Sequence, residues 1–421
     1  MRGAANPVAA VPSPMRIVNP VPAPGEQPAA TPPAARVASV DALRGLVMII
    51  MALDHVREYF HSGAMSFQPD DLSRTTAVLF FTRWITHICA PAFMFTAGLG
   101  AYLRLARTRD PGQLSRFLWS RGLWLVLLEL TVLRLAMNFS LTRGAVLLTV
   151  LWALGWSMVA LGFLARLPVR ILALLSVSII VLHNLADHVS ASQFGNAGWI
   201  WNILHQPGIF YVGDVPVLAA YSLIPYIFVM SAGFCLGAVV VLDPPRRRAS
   251  MIRIGLALTL AFVVVRWVNV YGDPQPWSAL PSGMTFLSFL RCTKYPPSLD
   301  FLLMTLGPAI LLMACFDRFS LAKTNPLIIF GRVPLFYFLL HLFVIHGLTI
   351  PFALARYGHA GFLFNPLPSA GGSAGLFPPQ YGYSLWTVYL VWIGVVLMIY
   401  PLCLWFARLK ERKRSPWLSY L

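Results

Sequence analysis

The chain has 421 residues, of which 58% are hydrophobic and only 11% are charged. Soluble domains carry about 25% charged residues, so this composition excludes an ordinary soluble protein and predicts an all-α polytopic membrane protein. The net charge of +17 does not indicate nucleic acid as a partner, because the Lys and Arg residues lie in short clusters between apolar runs.

The first segment, residues 1–36, holds nine prolines and many alanines, which predicts a disordered cytoplasmic tail rather than a signal peptide. Residues 37–409 are predicted to form one membrane domain, and residues 410–421 a basic cytoplasmic tail. About ten transmembrane helices are expected, centred near residues 50, 88, 126, 155, 177, 229, 259, 309, 338 and 394.

The loop charges predict the orientation of these helices. The long connections 183–216 and 357–383 contain no Lys or Arg and are assigned to the outer side. Both termini are then cytoplasmic, and 271–298 is the one basic loop that this topology assigns to the outer side. The residues assigned to the cytoplasm are Arg104, Arg107, Arg109, Arg116, Arg166, Arg170, Arg246, Arg247, Arg248, Arg318, Lys323, Lys410, Arg412, Lys413 and Arg414.

The stretch MIIMALDHVREYFH, residues 48–61, ends the first helix on the outer side with a concentration of charge. Isolated ionisable groups at membrane depth cost several kcal/mol, so Asp54 and His55 are predicted to have partners inside the bundle. Solvation at the helix end is the favoured interpretation of Arg57, Glu58 and His61, although His61 is also a candidate to line an outer cavity.

The second helix contains the stretch RWITHICAPAF, in which His87 lies four residues before Pro91. Proline leaves the carbonyl four residues back without a donor and bends the helix. With Asp54 opposite, His87 is predicted to act as a general base oriented by that carboxylate, and Arg83 to line the outer entrance. The alternative is that His87 only makes a structural hydrogen bond between packed helices.

Two further pairs are candidates to line a cavity. Tyr337 and His341 lie one turn apart on one face of the ninth predicted helix, where packing is the competing interpretation. Lys294 and Tyr295 precede a Pro-Pro pair in the outer loop 271–298, where they would bind a polar substrate or simply anchor the loop at the interface.

No metal site is predicted. His183 and Asp187 have the i, i+4 spacing of two ligands, but the sequence offers no third. Gly233 and Gly237 form a GxxxG motif, which predicts close packing of two helices.

Four segments together resemble a known family: SVDALRGLVMIIMALDHVREYF, RWITHICAPAFMFTAGLGAYLR, KYPPSLDFLLMTLGP and GRVPLFYFLLHLFVIH. They are similar to bacterial membrane proteins of the DUF1624 type, grouped with the catalytic domain of heparan-alpha-glucosaminide N-acetyltransferase. The resemblance extends from Arg36 to the C-terminus and rests mainly on the first two segments.

The resemblance implies an acyltransferase that takes an acetyl group from cytoplasmic acetyl-CoA and delivers it to an amine or hydroxyl of a glycan-type acceptor on the far side. It implies the bacterial inner membrane as location and the bilayer as partner, and leaves a homodimer open. Arg104, Arg107 and Arg109 are available for the CoA phosphates. Direct transfer and an acetyl-imidazole intermediate both stay open.

The chain departs from the family pattern at the site. The D-x-x-R-G motif is kept as Asp41, Arg44 and Gly45, but Asp54 stands where the family enzyme has Asn, and His87 where it has Asp. His61 is the nearest match to the family's histidine in the following loop. A transporter or flippase of a small polar or lipid-linked substrate, using Asp54 and His87 for ion coupling, is the alternative function.

Overall fold

The computed structural model describes residues 37–281, 283–413, 415, 418 and 420; the predicted N-terminal tail, residues 1–36, lies outside them. The α-helices are α1 (Ala38–Phe60), α2 (Ala77–Trp84), α3 (Cys89–Thr108), α4 (Pro111–Leu128), α5 (Arg134–Asn138), α6 (Val150–Leu164), α7 (Val169–Leu182), α8 (Gly198–Leu204), α9 (Leu223–Val240), α10 (Pro244–Val268), α11 (Thr285–Leu290), α12 (Leu299–Phe316), α13 (Pro326–Arg332), α14 (Pro334–Tyr357) and α15 (Leu385–Arg412).

Seven helical segments in the described part of the chain are long and apolar enough to cross a membrane. Helices also lie at the other predicted positions, but α6 has only 15 residues and α1 carries several charges, so the count of ten stays a prediction, as does the side of the termini. The seven segments are Ala77–Thr108, Val169–His188, Leu223–Val240, Pro244–Val268, Leu299–Phe316, Pro334–Tyr357 and Leu385–Arg412.

Large apolar side chains are exposed on the outward faces of several of these helices. Leu174 on α7 is 70% exposed, and Trp267 on α10 and Leu390 on α15 are each 71% exposed. Such surfaces would be an aggregation hazard in water, whereas lipid covers them without cost. The composition-based prediction of a multi-pass membrane protein is confirmed.

Helix α1 lies at the centre of the bundle and packs against α3, α12, α13, α14 and α15. Glycine allows α1 and α13 to approach closely: a Cβ added at Gly45 would lie 1.9 Å from the carbonyl oxygen of Leu327 on α13. The GxxxG prediction is also confirmed, because a Cβ at Gly233 on α9 would lie 1.9 Å from the carbonyl oxygen of Phe95 on α3.

The second predicted helix is interrupted close to Pro91. A 3-10 turn, Ile85–Ile88, separates α2 from α3. The interruption includes His87, whose carbonyl the proline leaves without its helical donor. The α-helical hydrogen-bond pattern is therefore interrupted at the turn that precedes the proline, whereas the bend itself stays a prediction.

A small sheet that the all-α prediction missed stands at one end of the bundle. Strand β3 (Val215–Ala219) pairs in parallel with β1 (Val146–Leu148) and antiparallel with β2 (Gly208–Val212). Strands of three to five residues carry too little periodicity to be read from the sequence. The sheet matters because β1 leads directly into α6.

Candidate active site

Two cavities of similar size lie toward opposite ends of α1. The basic cavity, about 360 Å³, is lined by Val37, Asp41 and Arg44 at the start of the helix. The histidine cavity, about 330 Å³, is lined by residues of the last turns, among them His55 and Glu58. At 1.5 Å per residue, Arg44 and Glu58 are about 21 Å apart along α1.

The basic cavity gathers cations from three helices. Its lining includes Arg44 of α1, Arg104 and Arg107 of α3, and Arg121 of α4. The guanidinium of Arg104 lies 3.9 Å from the centre of the Phe117 ring, and Arg44 donates a hydrogen bond to the carbonyl of Thr96. The arrangement is suited to a polyanion such as the phosphates of a nucleotide.

The structure divides the arginines predicted to bind CoA. Arg104 and Arg107 line the basic cavity. Arg109 is exposed just beyond α3, with φ of 53°, and does not belong to the described lining of either cavity. Sequence reasoning did not assign Arg44 or Arg121 to this site, and the D-x-x-R-G motif was the signal available for Arg44.

In the histidine cavity, Asp54 is the centre of a network of ion pairs. Its Oδ1 accepts hydrogen bonds from Arg57 Nε at 3.2 Å and Nη2 at 3.0 Å, and its Oδ2 accepts one from Arg83 Nη1. Asp54 is 8% exposed and Arg57 3% exposed. The expectation that Asp54 has buried partners is met, but the interpretation of Arg57 as solvated is wrong.

His55 and Glu58 lie side by side on the cavity wall. The Nδ1 atom of His55 is 3.5 Å from Glu58 Oε2, and Arg57 Nη2 is 3.6 Å from the other carboxylate oxygen. Both side chains are half-buried and line the cavity, so Glu58 is not simply part of a solvated rim. A carboxylate beside Nδ1 favours the tautomer whose Nε2 carries a lone pair.

His87 does not belong to the described lining of this cavity, although residues next to it in the chain do. It is 5% exposed, its ring packs 5.3 Å from that of Phe301, and its Nδ1 has no hydrogen-bond partner in the described structure. The neighbours Thr86 and Cys89 line the cavity in its place. The hydrogen bonds that Asp54 accepts within the described residues come from arginines, so a direct Asp54–His87 pair is not formed.

Lys294 and Tyr295 line the histidine cavity, as does Arg83. The ammonium of Lys294 lies 5.2 Å from the centre of the Tyr295 ring, and the Tyr295 hydroxyl donates to that of Tyr221 at 3.4 Å. These residues bring a cation and hydroxyl groups to the cavity wall opposite the charges of α1.

Internal hydrogen bonds hold the loop that carries Lys294. Asp273 accepts from Thr293 N at 2.7 Å and from Ser298 Oγ at 2.6 Å, on either side of Lys294. Arg266, 2% exposed, donates to four backbone carbonyls nearby and lies 3.5 Å from Asp300. The loop is therefore held at a defined position beside the cavity.

The remaining predicted residues stand behind the cavity or beside it. Tyr337 and His341 are fully buried, one layer behind Phe338, and the His341 ring lies 5.2 Å from that of His55. His61 lies outside the described cavity lining, and its Nδ1 accepts a hydrogen bond from Gly63 N at 3.1 Å. His61 thus caps the turn after α1.

The loops without Lys or Arg close over the histidine cavity. The connection 183–216 contributes Pro207 and, with the adjoining strand, Leu218; the connection 357–383 contributes Ser369 and Ala370. Both loops stand at the end of the bundle where α1 finishes, which agrees with their assignment to one side of the membrane. These loops turn the charged end of α1 into a cavity instead of a solvated helix end.

The residues weighed as a metal pair have other partners. His183 contacts the carbonyls of Ile180 and Pro297, each at 2.8 Å. Asp187 accepts from His205 at 2.8 Å and from Asn184 at 2.7 Å. In the part of the chain that the structure describes, no group of three His, Cys, Asp or Glu side chains is arranged to hold a metal ion.

Three apolar side chains belong to both cavities. Phe93 of α3, Val150 at the start of α6 and Phe338 of α14 line the basic cavity and the histidine cavity alike. We call these three residues the shared wall. The two sites are therefore neighbours, although they lie toward opposite ends of α1.

Comparison with known families gives one match. The family model described as heparan-alpha-glucosaminide N-acetyltransferase, catalytic, matches residues 36–271, more than half of the chain. A search of curated proteins finds no match. The matched region includes α1 and the four arginines of the basic cavity, and ends before Lys294 and Phe338.

Proposed function

Because the chain belongs to the catalytic-domain family of heparan-alpha-glucosaminide N-acetyltransferase, we propose that it moves an acetyl group across the membrane. The donor is cytoplasmic acetyl-CoA, and the acceptor is an amine or hydroxyl of a glycan-type molecule on the far side. The observation that carries this proposal is the pair of cavities with different chemistry, which have the three residues of the shared wall in common.

The basic cavity is the proposed donor site. The CoA phosphates bind the guanidinium groups of Arg44, Arg104, Arg107 and Arg121, which supply the charged, bidentate donors that phosphate favours. This assignment requires that end of the bundle to be cytoplasmic, as the loop charges predict. The thioester end of acetyl-CoA then points toward the shared wall.

The histidine cavity is the proposed acceptor site, with His55 as general base and Glu58 as its positioning residue. The amine or hydroxyl attacks the thioester carbonyl carbon while its proton passes to His55 Nε2. The C–S bond then breaks, the acyl group stays on the acceptor, and the CoA thiolate leaves and takes up a proton. The 3.5 Å between His55 Nδ1 and Glu58 Oε2 is longer than a hydrogen bond, and catalytic contacts of this kind often tighten when substrate binds.

The charges around this base assist the acceptor in two ways. Asp54 and Glu58 together balance the charges of Arg57 and Arg83, so the acceptor's polar groups meet a wall without a large excess of either charge from these four residues. Lys294 and the Tyr295 hydroxyl provide hydrogen-bond donors for the acceptor's polar groups. His87, the candidate base from the sequence, is an alternative that the same assays test.

Purified protein in proteoliposomes tests the proposal. Acetyl-CoA labelled on its acetyl group is placed on the side of the C-terminus, and glucosamine, as a model amine acceptor, on the other side. We expect label to appear on glucosamine only across a membrane that contains the protein. Glucosamine crossing the membrane unmodified would support the transporter instead, and absence of both labelled and transported sugar would contradict the acetyl-transfer assignment.

A further inference from the structure

The shared wall is the set of residues that line both proposed substrate sites. Phe93 and Val150 are half-buried, and Phe338 is 5% exposed. The three side chains offer only hydrocarbon and aromatic surface to whatever lies between the cavities. Phosphates and sugars, which need hydrogen-bond partners, are therefore retained in their own cavities.

We propose that Phe93, Val150 and Phe338 form an acyl passage that sets the longest acyl chain the protein transfers. This inference rests on the proposed function, since it assigns a role to the wall between the donor and acceptor sites. The transferred group is the one part of acyl-CoA whose chemistry suits an apolar passage. Short chains fit between the three side chains, and longer ones collide with them.

Selection by acyl-chain length requires side chains that keep their positions when an acyl chain enters. Contacts with other residues hold two of the three members of the shared wall in place. Val150 begins α6, whose start is fixed by Glu129: this carboxylate accepts from Thr149 N at 2.9 Å and from Leu151 N at 3.1 Å. The ring of Phe338 packs edge-on to that of His341, 5.7 Å between centres. Packed, supported side chains resist the displacement that a longer chain would need.

A series of acyl-CoA donors tests the passage. Transfer of acetyl, butyryl and hexanoyl groups to glucosamine is measured for wild type, Phe93→Ala and Phe338→Ala, with Phe93→Leu and Phe338→Leu as milder variants. We expect the ratio of kcat/KM for hexanoyl to that for acetyl to rise by roughly tenfold or more on truncation, since hydrophobic sites discriminate by about that factor per methylene.

Phe286 provides a matched control, because it is a phenylalanine 61% exposed on α11 and belongs to neither described cavity lining. Phe286→Ala should leave the donor ratio unchanged. Monodisperse elution in detergent identifies variants that are folded. If the folded wall variants, including the leucine substitutions, keep the wild-type ratio, the acyl passage is wrong even though acetyl transfer proceeds.

A substitution that enlarges a side chain of the shared wall distinguishes an effect on acyl transfer from an effect on acetyl-CoA binding. Val150→Phe adds bulk to the wall without touching the arginines of the basic cavity, so we expect acetyl transfer to be lost while the Kd for acetyl-CoA stays near wild type. Normal transfer by this variant would also overturn the passage. A wild-type protein that binds acetyl-CoA but transfers no acyl group of any length contradicts the proposed function itself.

Discussion

The two cavities differ in how they treat charge. In the basic cavity four arginines come from three helices, and the side chain of Arg107 is exposed to solvent. In the histidine cavity the carboxylates of Asp54 and Glu58 lie against Arg57 and Arg83. The described lining of the basic cavity holds four arginines and one carboxylate, Asp41, whereas that of the histidine cavity holds two carboxylates and two cations, Arg83 and Lys294.

This difference follows from the work proposed for each site. Binding a polyanion benefits from a lining with more cations than carboxylates, because guanidinium groups form charge-assisted hydrogen bonds with phosphate. Proton transfer benefits from a nearly neutral surrounding, since a surplus of either sign would hold the base permanently charged or uncharged. Substitutions in one cavity, with binding and transfer both measured, test whether the two cavities have these separate roles.

The largest effect is expected from the proposed base. His55→Gln should lower kcat for acetyl transfer by roughly 100- to 10,000-fold, the contribution of a positioned general base, and leave acetyl-CoA binding intact. His87→Gln should cause a smaller loss, because His87 does not line the cavity. Steady-state transfer assays compare the two. A larger loss for His87→Gln would reinstate the base that the sequence indicated.

The next effect concerns stability. Asp54→Ala removes the carboxylate that Arg57 and Arg83 share, and breaking a buried ion pair costs about 3–5 kcal/mol. Thermal unfolding in detergent should show a clear loss. The control Arg246→Ala removes a pair with Asp243 that is largely exposed and worth about 1 kcal/mol or less. Equal losses in the two variants would mean that the Asp54 network does not stabilise the fold.

An intermediate effect is expected in the basic cavity. The double variant Arg104→Ala/Arg107→Ala should weaken acetyl-CoA binding by roughly 100-fold or more, since hydrogen bonds to charged groups contribute about 1.5–3 kcal/mol each, and the change should shrink at high salt. Arg109→Ala is the matched control, from the same helix end but outside the cavity lining. Titrations of acetyl-CoA binding at two ionic strengths measure this effect. Equal weakening by Arg109→Ala would show that Arg104 and Arg107 have no special role in binding acetyl-CoA.

The smallest effect is expected at His61. Burial, and then the charge of Arg57, lowers the pKa of His61, which suits its role as acceptor for Gly63 N–H. Any stability from this cap is present at neutral pH and is lost as the pH falls below the unfolded value of about 6.5. His61→Asn keeps a capping side chain, so transfer activity should stay near wild type. A large fall in kcat would instead place His61 in the chemistry.

Much of the fold could be predicted because apolar runs of membrane length and the proline and glycine signals are local. The interruption before Pro91 and the close packing at Gly233 are both found in the structure. The small sheet was missed because its three strands are short and come from distant parts of the chain. The side of each terminus, inferred from loop charge, stays a prediction.

The site was predictable only in part. Asp54 stood out because a carboxylate at the end of an apolar run needs a partner, and Arg57 was visible three residues later. Glu58 was predicted to be solvated, because the sequence around it does not show that loops from distant parts of the chain cover the helix end. The members of the shared wall could not be predicted from the sequence. Phe93 and Phe338 resemble any other apolar residue there, and only the packing of three helices places the wall residues beside both cavities.

The shortness of α6 has a consequence for the distance an acyl group must travel. Its 15 residues are about 22 Å long, whereas the hydrocarbon layer of a bilayer is about 30 Å thick. Glu129 fixes the beginning of this helix beside the shared wall by accepting hydrogen bonds from its first backbone N–H groups. On the proposed function, an acyl group therefore moves between two neighbouring cavities at this helix start rather than through the whole hydrocarbon layer.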